Sequence, residues 1–393
     1  MSTCARIVAS VMLSLLCLAA TAQSSRELSL HDTLEMAMQR HGDGTSIQDV
    51  ATSAWLAGLP SVGLTYLDSQ EKFGTDETEL SINLPIKSFA TRRADNAMQQ
   101  LALELDALNE EQRKLYFSGL LRDAAWAYRL ADAKRRFVQK KRNVLQQLME
   151  QQAALVEANA ASSYTLLTLQ KELVDTQLQE QSLLARARQS LNRFRALTGL
   201  GEIPANLAEG DGSSVEFQPE NHPHLRALSA YRSQQEQLLA ADRASSGDWD
   251  LSVVGKNIET AGFEEEQIGV SVELPLAFVD MDSHSNRAQY RQIQREYAMA
   301  SEQLQQQLLT EWERVRIEYE NLQARQRLLD QSADLTKRIA DQVETLWNSR
   351  SIAPEIALRR LLDARDARSE QQLNMLQLQY TIAMLRQAAG ESL

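Results

Sequence analysis

The sequence contains few residues that interrupt helices. Only 15 glycines and 7 prolines occur in 393 residues, and the segments between them are rich in Gln, Glu, Arg, Leu and Ala. This composition is typical of long helices and coiled coils. The hydrophobic content of 43% is too high for a disordered chain. We therefore expect a mainly helical protein.

Cysteine is almost absent, and both cysteines lie near the N-terminus. Residues 1–22 are predicted to be a signal peptide, with one basic residue, a short apolar run and a small-residue cleavage site ending at Ala22. A single membrane anchor is disfavoured because the run is shorter than the ~20 apolar residues of a spanning helix. Lipid attachment at Cys17 is disfavoured because the bulky Leu16 precedes it. Cleavage removes Cys4 and Cys17, so we expect an exported chain without disulfides.

Positive charge is also scarce. The chain has 41 basic and 53 acidic residues and a net charge of −12, which argues against a nucleic-acid partner. Glycine-rich phosphate loops and the G-x-S-x-G and H-E-x-x-H motifs are absent from the sequence. We therefore do not expect an enzyme.

Two histidines form the only motif that suggests a metal ligand. His222 and His224 make a His-x-His pair at the predicted start of a helix. Since no cysteine or acidic cluster accompanies them, we interpret the pair as helix capping and surface polarity. No metal or other cofactor is expected.

The mature chain consists of two similar halves. Trp55 and Trp249 each precede an alternating strand, a polar turn and a second strand, which is followed by Pro85 or Pro275 and a long helical hairpin. Such a repeat indicates a duplicated unit. We predict a first repeat at 23–210, with strands at about 61–84 and helices at about 91–198, and a second at 211–393, with strands at about 249–274 and helices at about 285–388.

The predicted helices are too long for a small domain and need partners along their length. In the second half, apolar residues recur every seven positions with others four residues later, as in a coiled-coil seam. The seam consists of Val315, Tyr319, Leu322, Leu329, Ala333, Ala340 and Val343. Taken alone, it is compatible with a two-helix periplasmic rod.

The strands favour a different structure. Val62, Leu64 and Tyr66 alternate with small or polar residues, and the other three strands show the same pattern. Alternation over about ten residues is typical of outer-membrane barrel strands. Because four strands cannot close a barrel, closure requires copies of the chain, with two giving eight strands and three giving twelve. Pro85 and Pro275 are expected to end their strands at the membrane surface and to lead into the helices.

These features together resemble the TolC-like outer-membrane efflux channels. The resemblance rests on "LSLHDTLEMAMQRH" at the mature N-terminus, the duplicated strand and helical hairpins, the strand ends "LPI" and "LPL", and "LLDARDA" after the second helical turn. The resemblance covers nearly all of the mature chain, and it depends on the order and spacing of these motifs and not on any single one.

The resemblance implies a mainly α-helical fold with a small β part. In that family, a homotrimer forms a twelve-stranded barrel in outer-membrane lipid, continued by a periplasmic helical barrel. Such channels connect to a periplasmic adaptor and an inner-membrane pump, here expected to be of the RND type, and pass small solutes or metal ions outward. We favour the heavy-metal branch. The alternatives are a periplasmic adaptor, a coiled-coil scaffold and a channel for type I protein secretion.

The resemblance also implies functional positions. The periplasmic gate is expected at Asp363 and Asp366, with Arg360 where a further aspartate is common. The alternative is a solvated aspartate paired with Arg359 or Arg360. The helical tips that would meet the adaptor are Asn159, Ala160, Ala161, Ser162, Ser163, Ser351, Ile352, Ala353 and Pro354.

Two features depart from the family pattern. Only about twenty residues separate the opening motif from Pro60, so the first helix is expected to be short or broken. Asn159 stands where the first helical turn often has glycine, and asparagine tolerates a left-handed backbone better than most residues.

Overall fold

The computed structural model describes residues 28–42, 53–158, 162–245, 247–275, 284–349, 351–352 and 354–393. The predicted signal peptide and the tip residues Asn159, Ala160, Ala161 and Ala353 lie outside these ranges. The chain is mainly helical with one small antiparallel sheet, which confirms the predicted class at this level.

Six α-helices and four strands follow one another in the part of the chain that the structure describes. The helices are α1 (Leu30–Arg40), α2 (Phe89–Glu157), α3 (Ser163–Thr198), α4 (Pro223–Ser245), α5 (His284–Asn348) and α6 (Pro354–Ala388). The strands are β1 (Ser61–Leu67), β2 (Thr75–Ile86), β3 (Trp249–Thr260) and β4 (Phe263–Glu273). Helix α1 has only 11 residues, in line with the short first helix expected.

The long helices begin and end at residues suited to those positions. Ser88 caps α2 by accepting a hydrogen bond from the backbone N–H of Thr91. Helix α6 begins at a proline, where the missing N–H is not needed. Helix α3 ends at Gly199, whose φ of 81° is the left-handed conformation that glycine adopts without strain. Helix α2 has 69 residues and is therefore about 100 Å long.

The helices form two hairpins that lie side by side. Helix α2 packs along α3, α5 packs along α6, and α2 contacts α6, so the order is α3–α2–α6–α5. The seam residues Val315, Tyr319 and Val343 are buried, and Leu322 and Leu329 are half-buried. The seam therefore has the orientation that the heptad spacing predicts.

The main core lies where both hairpins pack against α1 and the C-terminal residues. Leu34, Leu121, Trp126, Phe194 and Ala383 are buried there together. The guanidinium of Arg122 is also buried. Its Nε donates to both carboxylate oxygens of Glu209, at 3.0 and 3.1 Å, and its Nη1 donates to Gln387 and to the carbonyl of Glu391. This network joins α2 to the C-terminus of α6.

The predicted set of long helices lacks α4, and the interpretation of His222 as a surface residue is wrong. Helix α4 packs against α2 and α5, although only its first turn was anticipated. His222 does cap that helix, since the backbone N–H of His224 donates to its Nδ1. It is buried, however, with 1% of its surface exposed, because Phe217 and Gly390 cover the ring. It is therefore not a surface residue.

Candidate functional site

The four strands form one sheet in the order β1-β2-β3-β4, and most of their apolar residues share one face. Val62 of β1 pairs with Ile82 of β2, Ile82 with Val253 of β3, and Val253 with Val270 of β4. The neighbouring rows contain Leu64, Leu80 and Ile268 on one side and Leu84, Leu251 and Val272 on the other. Val62 is 71% exposed and Ile268 87%, so no other part of the described chain covers this face.

The opposite face of the sheet is mainly polar, although Leu67, Val254, Ile258 and Phe263 also lie on it. One row across it contains Thr65, Glu79, Lys256 and Gln267. The Lys256 ammonium lies 2.6 Å from a carboxylate oxygen of Glu77 on the adjacent strand. An apolar face exposed on one side and charged pairs on the other are typical of a sheet between lipid and water.

The apolar rows are bounded at both ends. Toward the strand turns, the same face carries the polar residues Asp76, Asn257 and Glu266. Toward the helices, Trp55 and Phe89 are exposed, and the ring of Phe89 meets that of Trp249 edge-on at 5.8 Å. Aromatic side chains of this kind favour the boundary between lipid and water.

The two prolines lie at the junctions between sheet and helices, but Pro85 does not end its strand. It pairs with Asp250, and β2 continues to Ile86. Its carbonyl accepts from the N–H of Ala57, whereas β1 begins only at Ser61 opposite Asn83. The chain therefore bulges beside Pro85, where a ladder donor is not needed. Pro275 follows β4 by two residues and is exposed.

The two outer helices of the set, α3 and α5, each expose an apolar stripe. On α5, the exposed residues Ile317, Leu328, Leu335, Ile339 and Leu346 form a stripe that runs beside the buried seam. On α3, the exposed residues are Tyr164, Leu167, Val174 and Leu178, while Leu169 and Leu173 on the other side pack against α2. Since α3 and α5 are the outer helices of the set, these stripes are open edges of the chain.

The sheet also has two open edges. Strand β1 pairs only with β2, and β4 only with β3, among the described residues. An unpaired strand edge presents free backbone N–H and C=O groups. The chain therefore has two unpaired strands and two outer helices with apolar stripes, which no described part of the chain covers.

The predicted gate residues lie on α6, and each aspartate has a basic neighbour. Arg360 lies 3.4 Å from the carboxylate of Asp363, and both side chains are exposed. Asp366 instead faces α2, where its carboxylate lies 3.6 Å from the ammonium of Lys141. The pair of Asp363 with Arg360 is the predicted alternative to the gate. The pair of Asp366 with Lys141 was not predicted, since no local sequence pattern signals a contact across 225 residues.

Lys141 links three helices. Its ammonium also lies 3.2 Å from Glu172 of α3. Burial disfavours the charged amine, but hydrogen bonds and charges from Glu172 and Asp366 outweigh this effect and raise the pKa of Lys141. Leu145, Leu169 and Leu362 pack together toward the same end of the hairpins. This end is held by both apolar contacts and ion pairs.

The described tip residues form ordinary helix ends. Ser162 caps α3 by accepting from the N–H of Tyr164, and Ser163 is the first residue of that helix. After α5, the N–H of Ser351 donates to the carbonyl of Leu346, and Ile352 follows. These contacts define the start of α3 and the end of α5.

Two other kinds of feature are absent from the described residues. No three His, Cys, Asp or Glu side chains cluster there as a metal site would require. No described helix has both the length and the apolarity needed to cross a membrane.

The architecture is shared with solved channel structures. The outer membrane protein VceC from Vibrio cholerae matches with a TM-score of 0.64 over 92% of this chain and 96% of that chain, at 16% identity. The outer-membrane channel OprN matches with a TM-score of 0.61 over 92% and 90%, at 15% identity. The MtrE outer membrane channel of Neisseria gonorrhoeae, in its open state, matches with a TM-score of 0.54 over 86% and 81%, also at 15% identity.

No family model and no curated protein sequence matches the chain. At these low identities the structural likeness shows a common fold. The resemblance to the TolC-like family predicted from the sequence is thus confirmed at the level of fold.

Proposed function

We propose that this protein is an outer-membrane channel that assembles from three copies of the chain. The observation that carries the proposal is the sheet, which exposes an apolar face and whose two edge strands have no further partner strand among the described residues. Lipid can cover the apolar face, but it cannot satisfy the hydrogen bonds of open edges. Pairing β4 of one copy with β1 of the next removes every edge.

The helices support the same assembly. The apolar stripe on α5 of one copy can pack against that on α3 of the next, which makes a head-to-tail contact that closes into a ring. Three copies give twelve strands and twelve long helices, as the resemblance to TolC-like channels implies. The charged strand face then lines the pore, and the helices extend the passage into the periplasm.

In this proposal, the channel passes small solutes or metal ions that an RND-type pump delivers through a periplasmic adaptor. The helical tips at Ser162, Ser163, Ser351, Ile352 and Pro354 face the adaptor. Asp363 narrows the passage at the same end, and Asp366 holds α6 to α2 through Lys141.

Membrane extraction and conductance test the proposal. The protein should remain in isolated outer membranes until detergent is added, run as a trimer in light scattering, and form pores in planar bilayers. A soluble, folded monomer without conductance would instead support a periplasmic adaptor or scaffold.

A further inference from the structure

A cleft of about 400 Å³ between α2 and α6 contains more positive than negative charge. Four lining residues are cations, Lys140, Lys141, Arg365 and Arg368, and one is a carboxylate, Asp366. A low-dielectric wall strengthens the field of such a cleft and attracts ions of opposite sign.

Internal ion pairs neutralise only part of this charge. Asp366 is paired with Lys141, which also contacts Glu172. Lys140, Arg365 and Arg368 have no carboxylate within ion-pair distance among the residues that the structure describes. The Lys140 ammonium lies only over the ring of Phe137, at 5.9 Å. Three cations therefore remain available to a partner.

The two arginines also border a second cleft. It lies between α5 and α6, has a volume of about 500 Å³, and is lined by one further cation, Lys337, and by two carboxylates, Asp330 and Asp334. Small side chains, Ala333 and Ala340, line it as well. Arg365 and Arg368 thus border two adjoining clefts, and the small side chains of the second leave room for an approaching helix.

The cations lie on a different side of α6 from the candidate gate. At 100° per residue, Arg365 is rotated by about 200° and Arg368 by about 140° from Asp363. If Asp363 faces the tunnel, both arginines therefore face outward. The edges that would join neighbouring copies are α3 and α5, so ring formation leaves the cleft between α2 and α6 uncovered.

We propose that this basic cleft receives acidic side chains from a helical segment of the periplasmic adaptor. The inference rests on the proposed function, which supplies the adaptor, and it specifies the chemistry of that partner. Carboxylates spaced three or four residues apart on one helix face match the separation of Arg365 and Arg368.

A pair of peptides tests the proposal on the purified full-length protein. One is a labelled 20-residue helical peptide with glutamates at three- and four-residue spacing, and the other has glutamine at the same positions. Fluorescence anisotropy should detect binding of the acidic peptide, weakening as salt rises. The double variant R365Q/R368Q should lose roughly five- to thirtyfold in affinity.

The control variant R325Q/R327Q removes the same charge from exposed positions on α5 and should keep wild-type affinity. Equal binding of both peptides, or unchanged affinity in R365Q/R368Q, would overturn the proposal. So would an acidic peptide that plugs the pore, because the cleft would then face the tunnel. Trimer size and conductance are measured on the same samples, so a failed channel proposal is distinguishable from a failed docking proposal.

Discussion

The carboxylate of Asp248 lies at the N-terminus of α2, where it accepts a hydrogen bond from the backbone N–H of Ser88 at 2.7 Å. It also accepts from the hydroxyl of Thr91, at 2.6 Å. Asp248 directly precedes β3, whereas Ser88 follows β2. The contact therefore joins the two halves of the chain where sheet becomes helix. The positive end of the helix dipole also stabilises the negative charge of Asp248 at this position.

Replacing Asp248 should weaken this junction. We expect Asp248→Ala to cost about 1–2 kcal/mol, since it removes two hydrogen bonds to a charged acceptor. The temperature at which the detergent-solubilised protein loses helical circular dichroism should fall. Asp106→Ala, at an exposed position of α2, is the control and should leave it unchanged. The same temperature for both variants would show that the junction is held by other contacts.

The apolar stripe on α5 should control assembly. The double variant L328E/L335E places six charges in a ring of three and removes apolar contacts worth about 1.5–3 kcal/mol each. We expect the yield of trimer in light scattering to fall at least tenfold. The variant Thr345→Glu adds a charge beside the stripe and should have little effect. A normal trimer from L328E/L335E would exclude this face from the interface.

Acid should destabilise the loop before α4. Burial lowers the pKa of His222 to about 4, and the neighbouring charge of His224 adds to the effect. The folded state favours the neutral ring, so the contribution of His222 to the free energy of unfolding is complete above pH 6.5. It decreases as the pH falls toward 4, by up to about 3 kcal/mol. Denaturant unfolding between pH 7 and 4 should show this loss.

The variant His222→Phe should reduce the pH dependence, because it keeps an aromatic ring without a titrating group. His41→Gln alters an exposed histidine and serves as the comparison. An unchanged slope in His222→Phe would assign the acid sensitivity to other groups.

The gate proposal predicts ion selectivity. Three copies of Asp363 in one constriction would attract cations and bind divalent ions. Asp363→Asn should therefore reduce cation selectivity and divalent block severalfold in planar bilayers, without changing trimer yield. Asp341→Asn, exposed on α5, provides the matched control. Unchanged selectivity in Asp363→Asn would favour the simple ion pair with Arg360.

Sequence periodicity determined much of the architecture. Alternation in the strands predicted which residues share the exposed face, and the heptad spacing predicted the buried side of α5. Both patterns are local, because side-chain direction repeats every two residues in a strand and every 3.6 in a helix. The two similar halves could also be predicted from the sequence, because their repeated motifs are local patterns.

Only the tertiary structure decided which elements meet. Three features depend on residues far apart in the chain. These are the ion pair of Lys141 with Asp366, the burial of His222 and the hydrogen bonds of Arg122. The bulge that carries β2 past Pro85 depends on the neighbouring segment at Ala57. Local sequence fixes the direction of a side chain, but long-range packing determines what that side chain contacts.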